Sequence, residues 1–573
     1  MKNGALFIVL FVVCAAMGGD PYDYKKTVQR RVSPVSVAKN AAGNVLVDFG
    51  CETFGFVELL PPKGASGAYE VRLGELLKDG GVDLKPGATI RAATVKGNIL
   101  ESECGGVHRV PLVADKRNTS GGREGGAIKI PAEHGVVMPV RYAEFVSAPF
   151  EITKDNVRMV AVNYPMDMSA SSFKCSDPRL EKIYDFCKHS ILATSFAGIY
   201  VDGDRERIPY EMDAYLNQLG EYAVHADYSL ARASHEYLMV HPTWPTEWKQ
   251  YSIKMAWSDW MWTGDTRSTA KFYDMLKNEK LLLSHARASD GLLVSGGERM
   301  RNSLTNECGL ADIVDWPVGE RDGFVFRDVN AVVNAFHYRN LLEMADIARA
   351  LGKTADAEFF AARAKTVYDS YQKAFFDESR CVYRDGEGTD HAAMHPNAIA
   401  LGMGLVPQAH RAKVADYCLS RGMACSVGFT QYLFEGLFAM GCAEDAIRLI
   451  TSSGDRSWLG MLDFGATITM EAWAVKYKSN LDLNHAWGTV PLNIISGYVV
   501  GVMPLEPGFR KISIKPQLGG LKFVKAKVPT AAGTVYVDAT PSRLEFTTPT
   551  TSVVTFAGRT RTFGAGTHVI TAQ

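Results

Sequence analysis

The amino-acid sequence predicts three domains: a β-sandwich, a larger domain of helical hairpins arranged as a toroid, and a small second β-sandwich. The chain has 573 residues, which is too long for one compact core. Short runs of alternating apolar and polar residues, bounded by Gly and Pro, fill its first and last parts. Between them, apolar residues recur at helical spacing over about 320 residues.

The first β-sandwich is predicted over residues 20–172. Its alternating runs include Val45–Phe49, Ala68–Leu73 and Val136–Val140, and turn-forming residues separate them. Runs of this kind are typical of antiparallel strands whose one face packs on a core.

The helical domain is predicted over residues 173–501. Asp177 can cap a first helix, and Pro178 suits its first turn. Farther along, a helix containing Leu341 and Ala348 is followed by a partner helix over Ala355–Ala374. About ten to twelve such helices are expected, and they favour a toroid over a solenoid because no repeat of fixed length is visible.

The last β-sandwich is predicted over residues 502–573. Lys511–Lys515, Ala526–Val528, Thr534–Asp538 and Arg543–Phe546 alternate in the same way.

The first nineteen residues predict an exported protein, periplasmic or extracellular. Residues 1–19 contain one Lys, an apolar run from Ala5 to Val13 and then small residues, which is the layout of a signal peptide. Lipid attachment at Cys14 is the alternative, although Val13 is bulkier than the residue usually found before a lipidated Cys. The run is too short to span a bilayer, so we expect no transmembrane segment.

Charge and cysteine spacing exclude other classes of protein. The formal net charge is −1 and no Lys/Arg cluster occurs, so nucleic acid is not an expected partner. No CxxC motif or other convincing metal-ligand spacing is present, and we expect no metal or other cofactor. The oligomeric state cannot be predicted from the sequence.

Candidate catalytic residues concentrate between Asp202 and Asp213. This segment holds the five carboxylates Asp202, Asp204, Glu206, Glu211 and Asp213, and also Arg205 and Arg207. A solvated charged loop is one interpretation. The apolar stretches on both sides argue instead for the mouth of a core, with a helix that begins near Glu211. Crowded carboxylates raise the pKa of at least one member, which keeps a general acid protonated.

A second carboxylate, Glu471, lies in an apolar and hydroxyl-rich run. Hydrolysis of a glycosidic bond needs two carboxyl groups across the sugar. The alternative is a Glu that caps a helix. Function is favoured because Asn484, His485 and Trp487 follow closely, and sugars bind through aromatic faces and fixed polar groups. His485 is equally consistent with an ordinary buried histidine. Three further tryptophans, in segments that also contain Pro or Asp, are cleft candidates: Trp244, Trp248 and Trp316.

These motifs resemble those of the α-L-rhamnosidases of glycoside hydrolase family 78. The Arg205–Arg207 segment followed by Asp213 and Ala214 resembles the family signature. Other motifs recur in family order from about residue 40 to the last residue. They are Trp257–Asp259, Thr263–Asp265, Asp315 with Trp316, Glu471, Asn484 with His485, Glu506–Gly508 and Ile514–Pro516.

The resemblance implies an (α/α)6 toroid between antiparallel β-sandwiches, and an exo-acting, inverting hydrolase that releases terminal α-L-rhamnose from an oligosaccharide or glycoside. Glu206 would be the general acid and Glu471 the general base. The remaining implied residues contact the sugar: Asp202, Asp204, Arg205, Asp213, Trp257, Trp316, His485 and Trp487.

The sequence also departs from the family pattern. The spacing before Glu206 is shorter, so Asp202 and Asp204 compete for one role, and Pro209 and Tyr210 replace a Gly-Trp pair. These departures leave the preferred sugar open. The alternatives are a related (α/α)6 glycosidase with another sugar specificity, a polysaccharide lyase on the same toroid, and an inactive carbohydrate-binding protein.

Overall fold

The computed structural model describes residues 26–118, 126–301 and 303–572. The predicted leader and the alternative lipid site at Cys14 lie outside the described residues. Within these ranges, the N-terminal part contains ten strands: β1 Val28–Val32, β2 Ser36–Lys39, β3 Val45–Leu59, β4 Gly67–Gly74, β5 Leu77–Lys78, β6 Gly81–Val82, β7 Ala92–Ile99, β8 His108–Arg109, β9 Met138–Ser147 and β10 Val157–Asn163.

Eight of these strands form one antiparallel sheet in the order β1-β10-β3-β9-β4-β7, and β2 and β8 pair with β3. Strands β5 and β6 form a separate two-stranded ribbon. The long strand β3 contributes to two cores. Val47 and Val57 pack in a core made only of N-terminal residues, whereas Phe54 and Phe56 join the core of the helical domain.

The helical part contains fourteen α-helices within the described ranges, and a strand, β11 Ser172–Cys175, precedes them. The helices are α1 Pro178–Thr194, α2 Glu211–Val224, α3 Ser229–Val240, α4 Thr246–Thr263, α5 Arg267–Lys271, α6 Tyr273–Met275, α7 Ala331–Ala350, α8 Thr354–Phe375, α9 Met394–Gly402, α10 Arg411–Arg421, α11 Thr430–Ala439, α12 Ala443–Ile450, α13 Trp458–Phe464 and α14 Val490–Ile494. A small ribbon, β12 Phe376–Asp377 with β13 Val382–Tyr383, follows α8.

The helix ends follow the local sequence. The Asp177 side chain accepts a hydrogen bond from the backbone of Arg179, and Pro178 opens α1, which confirms the predicted start of the helical domain's first helix. Asn330 caps α7 in the same way. Only three residues connect α7 to α8, and the two helices pack side by side, so they form a helical hairpin.

Burial separates inner from outer helices. All fourteen residues of α2 are buried, so this helix is enclosed on every side. In α8 only one stripe is buried, from Ala357 and Phe360 to Phe375, and the opposite face is exposed. Because α2 begins directly after the acidic segment, that segment is held against an inner helix.

The last part of the chain forms two sheets. Its strands are β14 Val502–Glu506, β15 Lys511–Ile514, β16 Val524–Val528, β17 Val535–Ala539, β18 Arg543–Thr548, β19 Thr551–Phe556, β20 Arg559–Phe563 and β21 Gly566–Thr571. One sheet has the order β11-β16-β17-β18-β21 and the other β14-β15-β19-β20. The predicted strands in this region are confirmed, whereas sandwich packing in the two β domains stays a prediction.

The N-terminal sheet is joined directly to the helical domain. The rings of Phe54 and Phe196 stack with centroids 3.7 Å apart. The backbone N–H of Glu52 donates to the Thr467 hydroxyl at 2.7 Å. Within the described ranges, no helix is both long and apolar enough to cross a membrane.

Candidate active site

A cavity of about 190 Å³ brings together most of the residues singled out by the sequence. Four parts of the chain form its wall: the acidic segment, the start of α4, the loop before α7, and the segment that begins at Glu471. The lining residues are Asp202, Arg205, Glu206, Tyr210, Asp213, Trp244, Trp248, Arg299, Leu304, Trp316, Glu471, His485 and Trp487.

The acidic segment is a closed loop that ends at α2. The backbone N–H of Asp202 donates to the Ile208 carbonyl at 2.9 Å, and the Ile208 N–H donates to Asp202 Oδ1 at 3.0 Å. Gly203 has φ +149°, in a region that side chains disfavour. Its position is also tight, since a Cβ there would lie 2.9 Å from Asp482 Oδ2. Helix α2 begins at Glu211, as predicted, so Asp213 is on the helix and Glu206 is on the loop.

Glu471 is a buried carboxylate surrounded by donors. Arg205 forms a bidentate pair with it at 2.9 and 3.0 Å, and Lys478 Nζ lies 3.1 Å from Oε1. The backbone N–H of Asp482 donates to Oε2 at 3.1 Å. Burial opposes ionisation, but His485, Arg205 and Lys478 together outweigh it and lower the pKa of Glu471 to about 2. Glu471 is therefore ionised at neutral pH.

Glu206 lies in a different environment. Its side chain is 33% exposed, against 3% for Glu471. The Tyr210 hydroxyl donates to Glu206 Oε2 at 2.8 Å, and Arg205 Nε lies 3.7 Å from Oε1. The cavity thus has one accessible carboxyl and one buried, cation-bound carboxylate, a pairing suited to one proton donor and one proton acceptor.

Asp202 lines the cavity with an unpaired oxygen. Its Oδ2 has no hydrogen-bond partner among the described residues, and Arg205 Nη2 lies 3.9 Å away. Burial raises the pKa of Asp202 well above its ordinary value. A buried polar atom without a partner is available to a ligand hydroxyl.

Asp213 and His485 form the other polar wall. Asp213 Oδ1 and His485 Nε2 are 2.5 Å apart, and no described residue is bonded to Nδ1 of His485. The Trp487 indole N–H donates to the Glu471 carbonyl at 3.1 Å. His485 is therefore a cavity residue as well as a buried one, and Trp487 supports the backbone of Glu471.

Aromatic rings form the remaining wall. Trp244, Trp248 and Trp316, the three cleft candidates, all line the cavity. The guanidinium of Arg299 lies 4.9 Å from the Trp244 ring centroid. The sequence did not single out Arg299 or Leu304, because both lie in a polar, Gly-containing loop without an aromatic or acidic motif.

Two of the residues predicted to contact the substrate, Asp204 and Trp257, do not line the cavity. Asp204 is buried, and its two oxygens accept from Arg207 Nη2 at 2.6 Å and Arg91 Nη1 at 2.8 Å. Both oxygens of Asp204 are thereby occupied, so of these two aspartates only Asp202 is at the cavity. Trp257 is inside α4, where its ring faces the guanidinium of Arg339 at 5.4 Å.

No group of three or more His, Cys, Asp or Glu side chains with metal-binding geometry occurs in the part of the chain that the structure describes.

Comparison with protein families identifies two consecutive matches. Residues 168–499 match the bacterial alpha-L-rhamnosidase six-hairpin glycosidase domain. Residues 501–550 match the bacterial alpha-L-rhamnosidase C-terminal domain. The first match covers more than half of the chain.

Curated relatives have the same description but are longer. An alpha-L-rhamnosidase of Alteromonas sp. (strain LOR) is 26% identical in an alignment of 311 positions that covers 51% of this chain and 32% of that protein. An alpha-L-rhamnosidase of Formosa agariphila is 22% identical in an alignment of 560 positions that covers 88% of this chain and 54% of that protein. The chain therefore spans about a third and about half of the lengths of these two relatives.

A solved structure shows a similar fold. The alpha-L-rhamnosidase of Streptomyces avermitilis, complexed with L-rhamnose, superposes with a TM-score of 0.75 at 16% sequence identity, covering 95% of this chain and 53% of that one. Together with the six-hairpin match, this likeness identifies the helical domain as an α toroid and the two β-rich parts of the chain as the domains that flank it. The chain belongs to the bacterial α-L-rhamnosidase six-hairpin glycosidase family.

Proposed function

We propose that the chain is an exo-acting, inverting glycoside hydrolase that releases terminal α-L-rhamnose from oligosaccharides or glycosides. The observation that carries this proposal is the pair of carboxyl groups that line the same cavity, Glu206 accessible and Glu471 buried and ionised. Membership of the family supports the reaction class. A small cavity supports exo action, because it suits one terminal sugar better than an extended chain.

In the proposed reaction, Glu206 donates its proton to the leaving glycosidic oxygen as the C–O bond breaks. Glu471 accepts a proton from the water that forms the new C–O bond on the opposite face. The sugar leaves with inverted configuration, Glu206 ends ionised and Glu471 ends protonated. Proton return through solvent restores both groups.

Water must replace one donor to reach Glu471. Two donors contact each of its oxygens, which fills the four lone-pair directions of a carboxylate. Asn480 provides each of these two side chains with a second acceptor. Its backbone carbonyl accepts from Arg205 at 2.7 Å, and its side-chain Oδ1 accepts from Lys478 at 2.8 Å. Either side chain can therefore release one contact to Glu471 without becoming unpaired.

The remaining wall would bind the sugar. We propose that Asp202, Asp213 and His485 accept or donate hydrogen bonds to ring hydroxyls, and that Trp316 and Trp487 pack against the apolar face. We also propose β-sandwich packing in both flanking domains, and export directed by residues 1–19.

Glutamine replacement tests the two catalytic roles. We expect Glu206→Gln and Glu471→Gln each to lose at least about a thousandfold in kcat on an aryl α-L-rhamnoside, since neither amide can transfer a proton. Thermal unfolding shows whether each variant folds, and Glu144→Gln, a buried N-terminal residue, is the control that should keep its activity. Normal turnover by either active-site variant would refute the role assigned to that residue.

The stereochemistry is tested separately. Proton NMR of the first-formed sugar should show the β-anomer before mutarotation, because water attacks the face opposite the leaving group. An initial α-anomer would exclude inversion.

A related glycosidase with another sugar specificity is the second candidate. One observation favours it: Tyr210, at a departure from the family motif, lines the cavity and hydrogen-bonds Glu206. Hydrolysis rates for a panel of aryl glycosides decide between the two. The first candidate requires the α-L-rhamnoside to have the highest kcat/KM.

A further inference from the structure

Two buried glutamates from the N-terminal sheet lie against the residues that support the cavity. Glu52 is in β3, Glu75 directly follows β4, and each is 1% exposed. The side-chain amide of Asn484, from the helical domain, donates to Glu52 Oε1 and to Glu75 Oε2, both at 3.2 Å. A contact between the two carboxyl groups completes the cluster.

Asn484 connects this pair to the acidic loop. Its Oδ1 accepts the backbone N–H of Asp204 at 2.9 Å. The backbone N–H of Asp204 can only donate, so it fixes which end of the amide is Oδ1, and the orientation of Asn484 is determined. Arg205 and Glu206 come directly after Asp204, and their backbone position therefore depends on Asn484.

Asp482 makes a second connection from the same side. Its Oδ2 accepts the backbone N–H of Arg205 at 3.0 Å, and its own N–H donates to Glu471 Oε2 at 3.1 Å. The hydroxyl of Thr89, another N-terminal residue, donates to Asp482 Oδ1. Through Asn484 and Asp482, side chains of the N-terminal part therefore support both the acidic loop and Glu471.

The charges around the glutamate pair are unequal. Asp204 and Asp482 are the other acidic groups that face it. The neighbouring cations do not balance this charge, because the side chains of Arg91 and Arg207 both bind Asp204. Arg91 contacts Glu75 through its backbone N–H, and the His189 ring contacts the backbone carbonyl of Glu52. Within the described ranges, no Lys or Arg side chain forms an ion pair with Glu52 or Glu75. Two uncompensated carboxylates in contact would repel each other, so the pair needs a proton.

We propose that Glu52 and Glu75 are positioning residues of the active site: as a carboxyl pair that shares a proton, they hold Asn484 and, through it, the loop that carries Arg205 and Glu206. This inference rests on the hydrolase function proposed above. It also assigns a role in catalysis to the N-terminal sheet.

The pair makes the geometry sensitive to alkaline pH. Burial raises the pKa of Glu52 to about 8 and that of Glu75 well above its ordinary value. Loss of the shared proton leaves two adjacent negative charges, which weakens the hold on Asn484. We therefore expect kcat to fall at alkaline pH, once the pair has lost this proton.

Replacing Glu52 tests the positioning role. Glu52→Ala should lower kcat about tenfold to a hundredfold with a smaller change in KM, because a displaced loop misaligns the reacting groups. Glu52→Gln should recover most of this loss, since its carbonyl can still accept from Asn484 while its amide replaces the shared proton. It should also move the alkaline fall in kcat to higher pH, because the titrating group is gone.

Glu144→Ala is the matched control. Glu144 is a buried glutamate of the same sheet that accepts from Asn40 and Asn44 at 2.8 and 2.7 Å, and among the described residues it shares no hydrogen bond with Asn484. It should lower the unfolding temperature without the loss in kcat. An equal loss of kcat in Glu144→Ala and Glu52→Ala would overturn the proposal, as would an unchanged alkaline limb in Glu52→Gln.

A second measurement needs no substrate. Amide hydrogen exchange of residues 203–207, followed by mass spectrometry in the full chain, should be faster in Glu52→Ala than in the wild type and Glu144→Ala. Unchanged exchange would overturn the proposal even if activity fell. If the wild type hydrolyses no rhamnoside but exchange responds as expected, the hydrolase proposal fails and the positioning of the loop stands.

Discussion

Arg205 contacts both carboxyl groups on which the proposed reaction depends. Its bidentate pair with Glu471 is one of the interactions that keep that carboxylate ionised to low pH, and its Nε is 3.7 Å from Glu206. A residue in this position affects the protonation of the base as well as the shape of the cavity.

Removing this cation should shift the acid side of the activity profile. Arg205 lowers the pKa of Glu471, so Arg205→Met should raise that pKa and move the acid limb of kcat to higher pH, with kcat itself down about tenfold or more. The measurement is kcat against pH on an aryl α-L-rhamnoside. Arg232→Met is the control, since Arg232 binds Asp259 outside the cavity. If the acid limb of kcat for Arg205→Met lay at the same pH as that of the wild type, this prediction would be contradicted.

The acidic loop could be located from the sequence, but the choice between its aspartates could not be made there. Asp202 and Asp204 flank the same glycine, and no local pattern distinguishes them. The choice is made by Arg91, a residue of another domain that occupies Asp204. Arg299 was missed for a similar reason, because only the fold brings its loop to Trp244.

At the scale of the element, the loop from Asp202 to Tyr210 depends on close packing beneath it. A Cβ at Gly203 would meet Asp482 Oδ2 at 2.9 Å and the Asn484 carbonyl oxygen at 3.0 Å. Both neighbours are buried and engaged in hydrogen bonds, so they have little freedom to move.

Gly203→Ala should therefore displace the loop. We expect at least about a tenfold loss of kcat together with a lower unfolding temperature. Gly404→Ala is the matched control, because Gly404 also has positive φ (+74°) but a Cβ at this position would have no atom within 4 Å among the described residues. The control should lose some stability from backbone strain and keep its kcat. Equal kcat in the two variants would show that the space beneath Gly203 is not needed.

Helix ends and strand alternation were predictable because they are local. Asp177 and Pro178 define the start of α1, and the one-sided burial of α8 follows its own sequence pattern. The pairing of β11 with β16 was not predictable, since Phe173 and its partner Ala526 are far apart in the sequence and β11 has only four residues. Sheet partners of this kind are determined by the tertiary fold.

At the scale of the whole molecule, one core extends from the helical domain into both flanking β domains, and the N-terminal part has a second core of its own. Phe54 and Phe56 extend the helical core into the N-terminal sheet. On the same strand, Glu52 contacts Asn484. A strand pattern predicts which face is buried, but it does not identify what that face packs against. The support that this sheet provides to the cavity was therefore not predictable from the sequence.

These buried carboxyl groups should make the stability of the whole chain depend on pH. Burial raises the pKa of Glu52 to about 8 and that of Asp482 to about 6 in the folded protein. The folded state then holds protons that the unfolded chain releases at lower pH. Their stabilising contribution is complete below the ordinary carboxyl pKa and is lost as pH rises through about 6 and about 8. Glu471 contributes in the opposite sense: its stabilising contribution is complete above the ordinary carboxyl pKa and is lost as pH falls toward its pKa of about 2.

The unfolding temperature should therefore fall between mildly acidic and mildly alkaline pH, and Glu52→Gln should reduce that fall by a few degrees. The amide introduced by Glu52→Gln cannot titrate, so the difference between the two proteins isolates the contribution of Glu52. Calorimetry of the full chain at several pH values across this window measures it, and the control Glu144→Gln should follow the wild type. If the unfolding temperatures of the wild type and Glu52→Gln changed in parallel with pH, Glu52 would not hold its proton in the folded state.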